Sequence, residues 1–139
     1  MTTKRSPVPI TVAYDPRKSR EFKQVVRAIA QDHRPEKLWE TPVILTVRVF
    51  RRPPSGMSKK KTAAALAGRI VPTTKPDLKN YIAGIEDALE GIVYVNDSQI
   101  YRYGEMTGKY YSDTPRVEII LEEIPDWFAF PNECERKKP

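Results

Sequence analysis

Apolar residues recur along this chain at two spacings. In residues 43–50 they fall at every second position. Val43, Leu45, Val47 and Val49 point one way and Thr46 and Arg48 the other, which predicts a strand. In residues 16–31 the spacing is helical, with Phe22, Val25, Val26 and Ile29 on one face and most of the lysines and arginines on the other. Asp15 and Pro16 give that helix a start signal, an N-cap residue followed by proline at the first helical position. A second helix is expected over 77–90. Leu78, Ile82, Ile85 and Leu89 form its apolar stripe, Asp77 is placed to cap it and Gly91 to end it. Ser58 is placed to cap a short basic helix over 58–67. Shorter apolar runs predict strands at 10–14, 92–95, 100–106 and 116–124. The first is an edge strand at best, because Pro7 and Pro9 interrupt it. The last two suggest a hairpin across 108–115. Residues 51–57 read as a loop and Asn96-Asp97-Ser98 as a turn. The sum is an α+β fold, a small mixed, mostly antiparallel sheet packed with two main helices.

Length fits one such domain, since 139 residues bury a single core. We place it at residues 1–125 and expect a loosely attached tail at 126–139, part of which Trp127, Phe128 and Phe130 can tuck down. No apolar run approaches the roughly 20 residues of a membrane span. The N-terminus carries basic residues without an apolar h-region, so no secretory signal and a cytoplasmic location are expected. Cys134 stands alone and makes no internal disulfide; His33 stands alone and supports no catalytic triad.

Charge changes the picture more. The net charge is +6, which favours a polyanionic partner. Its distribution is sharper than its sum. Between Arg51 and Pro76 lie seven basic residues, Arg51, Arg52, Lys59, Lys60, Lys61, Arg69 and Lys75, and no acidic one. Acidic residues then gather from Asp77 to Asp97. A cationic stretch suits phosphates, and carboxylates suit a hard cation such as Mg²⁺ or Mn²⁺, which prefers oxygen ligands to sulfur or a lone imidazole. On the second helix Asp77, Asn80, Gly84 and Asp87 share one edge, and Lys79, Ala83 and Glu86 the adjoining one. Asp97 follows by a strand and a turn, so Asp77 and Asp97 are expected to converge on one site. The plainer reading stays open on spacing alone: Asp77 a cap, Asp97 a turn residue, Glu86 and Asp87 a solvated face.

Several stretches resemble a known family. These are Ser58-Lys59-Lys60-Lys61, Pro72-Thr73-Thr74-Lys75-Pro76-Asp77-Leu78-x-Asn80, Glu86-Asp87-Ala88-Leu89-Glu90-Gly91-Ile92-Val93-Tyr94 and Asn96-Asp97-Ser98-Gln99-Ile100. Together with residues 14–21 and Pro115-Arg116-Val117-Glu118-Ile119, they resemble the RusA family of Holliday junction resolvases, often phage-borne, over residues 14–124. The resemblance implies a homodimer that makes paired, symmetric, Mg²⁺- or Mn²⁺-dependent nicks in a four-way DNA junction. It implies metal carboxylates at Asp77 and Asp97 with Asp87 close by, and a DNA-binding groove along the cationic stretch, with Lys75 beside the site.

Three departures stand out. Lys79 occupies the place of the family's second aspartate, and Ala83 that of its catalytic lysine. The family also opens with a strand ahead of a basic loop, and this chain is expected to begin inside that loop. Two compensations are physically open: Glu86, with Asp87, replaces the missing carboxylate, and Lys79 takes over the phosphate-stabilising task of the missing lysine. The alternatives are a branched-DNA-binding dimer with weakened or lost catalysis, and a basic RNA- or ribosome-associated protein that stacks bases on Tyr94, Tyr101, Tyr103, Tyr110 or Tyr111.

Overall fold

The nine residues Val43–Arg51 (β2) carry apolar side chains on both faces, with Val43, Leu45, Val47 and Val49 fully buried and Thr46 and Phe50 nearly so. Such a strand belongs at the centre of a sheet, where both edges are hydrogen-bonded. The computed structural model, which describes residues 6–13 and 21–124, places it there. On one edge Arg116–Glu123 (β5) runs antiparallel to it, from Val43↔Glu123 to Phe50↔Arg116. Val8–Ala13 (β1) closes that side, antiparallel to β5. On the other edge Ile100–Tyr103 (β3) and Gly108–Tyr111 (β4) lie one after the other, both parallel to β2. The sheet is mixed, and its long ladders are the antiparallel ones.

Three rows of side chains cross one face: Val8, Leu121 and Leu45; Ile10, Ile119 and Val47; Val12, Val117 and Val49. Phe22–Gln31 (α1) and Leu78–Leu89 (α3) pack into the same core through Phe22, Val26 and Ala30, and through Tyr81, Ile85, Ala88 and Leu89. Phe22 meets Tyr81 edge to face, with ring centroids 6.0 Å apart. Burying each such aliphatic side chain stabilises the fold by about 1.5–3 kcal/mol before chain entropy is counted.

Several expectations change. Residues 100–106 and 116–124 do not form a hairpin, because β2 lies between β3 and β5. Residues 92–95 are buried through Ile92, Val93 and Tyr94 but form a turn; Tyr94 makes isolated bridges to Trp39 and Glu90. The first helix starts at Phe22, with Glu21 at its N-cap, and the proposed Asp15-Pro16 start lies outside the described residues. The short basic helix is present at Lys59–Leu66 (α2), so there are three helices among the described residues, with the Ser58 hydroxyl accepting from the Lys61 amide at 3.2 Å. β1 is a full six-residue strand, and Pro9 is tolerated because β1 is an edge. A strand therefore does precede the basic segment. The tail at 126–139 lies outside the described residues. No helix among those residues is long and apolar enough to cross a membrane.

Candidate active site

The Asn-Asp-Ser-Gln segment folds as a single 3-10 turn, Asp97–Gln99, and its residue types explain why. The Asn96 side chain accepts from the Ser98 amide at 2.8 Å, and the Gln99 side chain reaches back to the Asn96 amide at 2.9 Å, a capping box. Gln99 also accepts from the Val95 amide at 3.0 Å and donates to the carbonyls of Trp39 at 2.9 Å and Thr41 at 3.0 Å. One amide side chain thus fastens the turn to the segment entering β2. The cap of this turn is the Asn96 side chain, not that of Asp97, and Asp97 is exposed. Its backbone N–H donates to the Glu90 carboxylate at 3.0 Å.

Glu86 and Glu90 lie one turn apart at the end of α3, on the face that also carries Lys79 and Ala83. The Tyr103 hydroxyl on β3 donates to the Glu86 carboxylate, and the buried Tyr94 hydroxyl donates to the Glu86 carbonyl at 2.7 Å. Both phenols register the negative charge around them. Burial first, then Glu86, Asp97, Glu90 and Tyr103, push Tyr94 far up. Tyr103 is pushed up to about 12 by its bond to Glu86, then by burial and by the charges of Glu86 and Asp97. Among the described residues none of Glu86, Glu90 and Asp97 has an ion-pair partner.

Asp77 stands at the other end of α3, as its N-cap. It caps through its carbonyl, which accepts from the Asn80 and Tyr81 amides, and makes no side-chain cap bond, forgoing an interaction that contributes about 0.5–2 kcal/mol elsewhere. Its carboxylate lies 4.0 Å from Lys75 Nζ. The segment before it is gripped from β2 and β4. Lys109 Nζ donates to the Thr74 carbonyl at 2.7 Å and the Pro76 carbonyl at 3.2 Å. Arg51 donates to Thr74 at 2.9 Å and Lys75 at 3.0 Å. Burial and Arg51 pull Lys109 down while Asp77 pulls it back.

Asp77 is thus the N-cap of α3, and the turn that carries Asp97 is tied to Glu90, its C-cap. The nine residues from Asp77 to Glu86 span about 13 Å along a helix axis. Asp87 faces neither group, because its carboxylate is paired with Lys23 on α1, which holds it below the ordinary carboxylate range. Lys79 is exposed in the first turn of α3, two residues after Asp77. Of the cationic set, Arg51 is half-buried and occupied, whereas Arg52, Lys59, Lys60, Lys61, Arg69 and Lys75 are exposed. Lys59, Lys60 and Lys61 form the first turn of α2, where positive charge opposes the helix dipole. Local helix electrostatics do not call for them there.

Sequence reasoning missed Glu90, Tyr103 and Lys109 as site neighbours. Glu90 was open to it, four residues after Glu86 on the same face. Lys109 was not, because its place depends on the pairing Val49↔Lys109, a long-range register. Among the described residues no three acidic, imidazole or thiolate groups already enclose one metal position.

The endodeoxyribonuclease RusA family matches residues 2–122. The uncharacterized protein YqaN of Bacillus subtilis (strain 168) is 44% identical over 112 residues, covering 79% of this chain and 78% of YqaN. The family match takes in β1 and both ends of α3 together with the Asp97 turn. The chain belongs to the RusA endodeoxyribonuclease family.

Proposed function

We propose that this protein is a divalent-metal-dependent endonuclease that resolves four-way DNA junctions, acting as a homodimer that places one nick in each of two symmetric strands. The observation that carries the reading is the acidic surroundings of Tyr94: Glu86, Glu90 and Asp97 all act on it, and none has an ion-pair partner among the described residues. A long basic run without acids precedes α3 in the chain. Like charges held together are unfavourable unless a cation compensates them. A two-fold dimer suits a substrate with two matching strands.

The donor set fits a hard cation. Mg²⁺ prefers carboxylate oxygen, keeps several waters and needs only one or two protein carboxylates besides substrate phosphate. Asp97 and Glu86 are proposed to hold it, with Glu90 fixing the Asp97 backbone. A bound ion supplies charge stabilisation at the scissile phosphate and a water of lowered pKa. Glu86 can replace the carboxylate lost at Lys79 only in company with Asp97, because Asp77 is too far along the helix to share an ion with it. Asp77 is proposed as a second acidic station at the start of α3. Lys79, exposed in the first turn of α3 beside Asp77, is proposed to meet the phosphate in the role of the lysine absent at Ala83. Arg52, Lys59, Lys60, Lys61, Arg69 and Lys75 are proposed to hold the DNA backbone, which gives affinity without sequence preference. Asp87 is proposed as a strut between α1 and α3.

Lys79 and Ala83 favour one competing reading, a junction-binding dimer without catalysis. Titration with Mn²⁺ separates the two. Saturable binding that is lost in Asp97→Asn and weakened in Glu86→Gln is expected. A wild-type protein that binds junctions but takes up no Mn²⁺ would establish the binder.

A further inference from the structure

We propose that Lys109 is a positioning residue for Asp77: with Arg51 it clamps the backbone carbonyls that lead into α3 and so sets where the Asp77 carboxylate stands. The inference rests on the reading of Asp77 as a carboxylate of the cleavage site.

The clamp follows from strand register. β2 and β4 pair in parallel as Val49↔Lys109 and Arg51↔Tyr111. Alternation puts Val49, Arg51, Lys109 and Tyr111 on one face, the face that holds the core. Val49 is fully buried, and two residues on, where the strand emerges, the half-buried side chain is Arg51. Two cations therefore reach the approach to α3 from neighbouring strands.

What they hold needs holding. Residues 71–77 belong to no helix or strand, and Pro76 has no N–H of its own to tie them down. Lys109 bonds Thr74 and Pro76, and Arg51 bonds Thr74 and Lys75, so three consecutive carbonyls receive four bonds. Bonds from charged donors are roughly twice as strong as neutral ones. Asp77 follows directly, and its carboxylate bonds none of the helix amides that an N-cap aspartate ordinarily takes. The backbone is fixed by the clamp, which leaves the side chain free of the helix amides, with the exposed Lys75 4.0 Å away. A displacement of about 1 Å at a reacting group costs on the order of 10²-fold in rate. Lys109 thereby acts on Asp77 through the chain and not through the DNA.

The test uses the full chain and a synthetic four-way junction with Mg²⁺, comparing wild type, Asp77→Asn, Lys109→Met, Lys109→Gln and Lys109→Arg. Cleavage rate at saturating enzyme, junction Kd, and amide exchange at Asn80 and Tyr81 in metal-free protein are measured. Expected for Lys109→Met is a rate at least about tenfold lower, a Kd within about twofold of wild type, and faster exchange at Asn80 and Tyr81 with Val26 unchanged. Lys109→Arg should restore most of the rate, and Lys109→Gln, whose shorter and uncharged side chain donates more weakly, should fall between. If Lys109→Met does not fold, the Gln and Arg variants decide alone: equal, unimpaired rates in both overturn the clamp. So does a Lys109→Met variant that cleaves at the wild-type rate while Asp77→Asn is inactive, or one whose whole defect lies in Kd. Full activity in Asp77→Asn removes the site reading itself, and the positioning role with it.

Discussion

Asp97 owes its place to Gln99. Four hydrogen bonds, two accepted and two donated by one side-chain amide, fix the turn that carries the aspartate, so Gln99→Ala should lower junction cleavage by roughly 10–100-fold, as loss of an outer support does at metal sites. The measurement is cleavage rate alongside Mn²⁺ affinity, and an unaltered Mn²⁺ affinity would detach Gln99 from the site. Glu86 and Asp87 adjoin in sequence but face different neighbours, Tyr103 and Lys23. Glu86→Gln should therefore impair cleavage, and Asp87→Asn should leave it near wild type. Asp87 should instead show itself in stability. Lys23 holds its folded-state pKa below the ordinary value, so the pair's contribution is present above that ordinary value and fades as pH falls through the lower one. Both groups are well exposed, so added salt should erase most of it at neutral pH. Thermal melts of wild type and Asp87→Asn against pH and salt check this. A difference that grows towards acid pH would contradict it.

At the scale of elements, β3 approaches β2 so closely that only glycine fits where it ends. A Cβ built on Gly104 would stand 1.9 Å from the Thr46 hydroxyl oxygen and 3.1 Å from its Cβ. Gly104→Ala should cost about 1–3 kcal/mol by overpacking. Thr46→Ala should recover most of that in the double variant, and denaturant melts of the three proteins measure it. A double variant as unstable as Gly104→Ala would place the strain elsewhere. Elements with a clear period or cap were legible in the sequence: α3 through Leu78, Ile82, Ile85 and Leu89, β2 through its alternation, α2 through Ser58. Pairing was not. Adjacency along the chain favours a hairpin of β3 with β5, but β2 is apolar enough to take a partner on each edge, and nothing local encodes that. Residues 92–95 look like a strand because burial gives turn and strand the same apolar run. The acids were legible as residues, but their division between the two ends of α3 depends on where Tyr94, Tyr103 and Lys109 arrive from distant sequence.

For the whole molecule, charge is arranged along α3, with Arg51, Lys75 and Lys109 at its start and Glu86, Glu90 and Asp97 at its end. The exposed basic run before it should make junction binding strongly salt-dependent. Replacing Lys59, Lys60 and Lys61 with alanine should flatten the slope of log K against log salt by about 3 per protomer if all three meet phosphates. An unchanged slope would reduce them to a solvated surface. Sedimentation should give about 32 kDa, twice the 16.0 kDa chain. The most direct measurement is cleavage of a labelled four-way junction, beside a linear duplex of the same sequence, with Mg²⁺ or without metal. Wild type should cut two opposed strands of the junction symmetrically, only with metal, and spare the duplex, while Asp97→Asn binds the junction and leaves it whole. Wild-type protein that binds the junction without cutting it in Mg²⁺ or Mn²⁺, or Asp97→Asn that cuts as wild type does, would contradict the assignment.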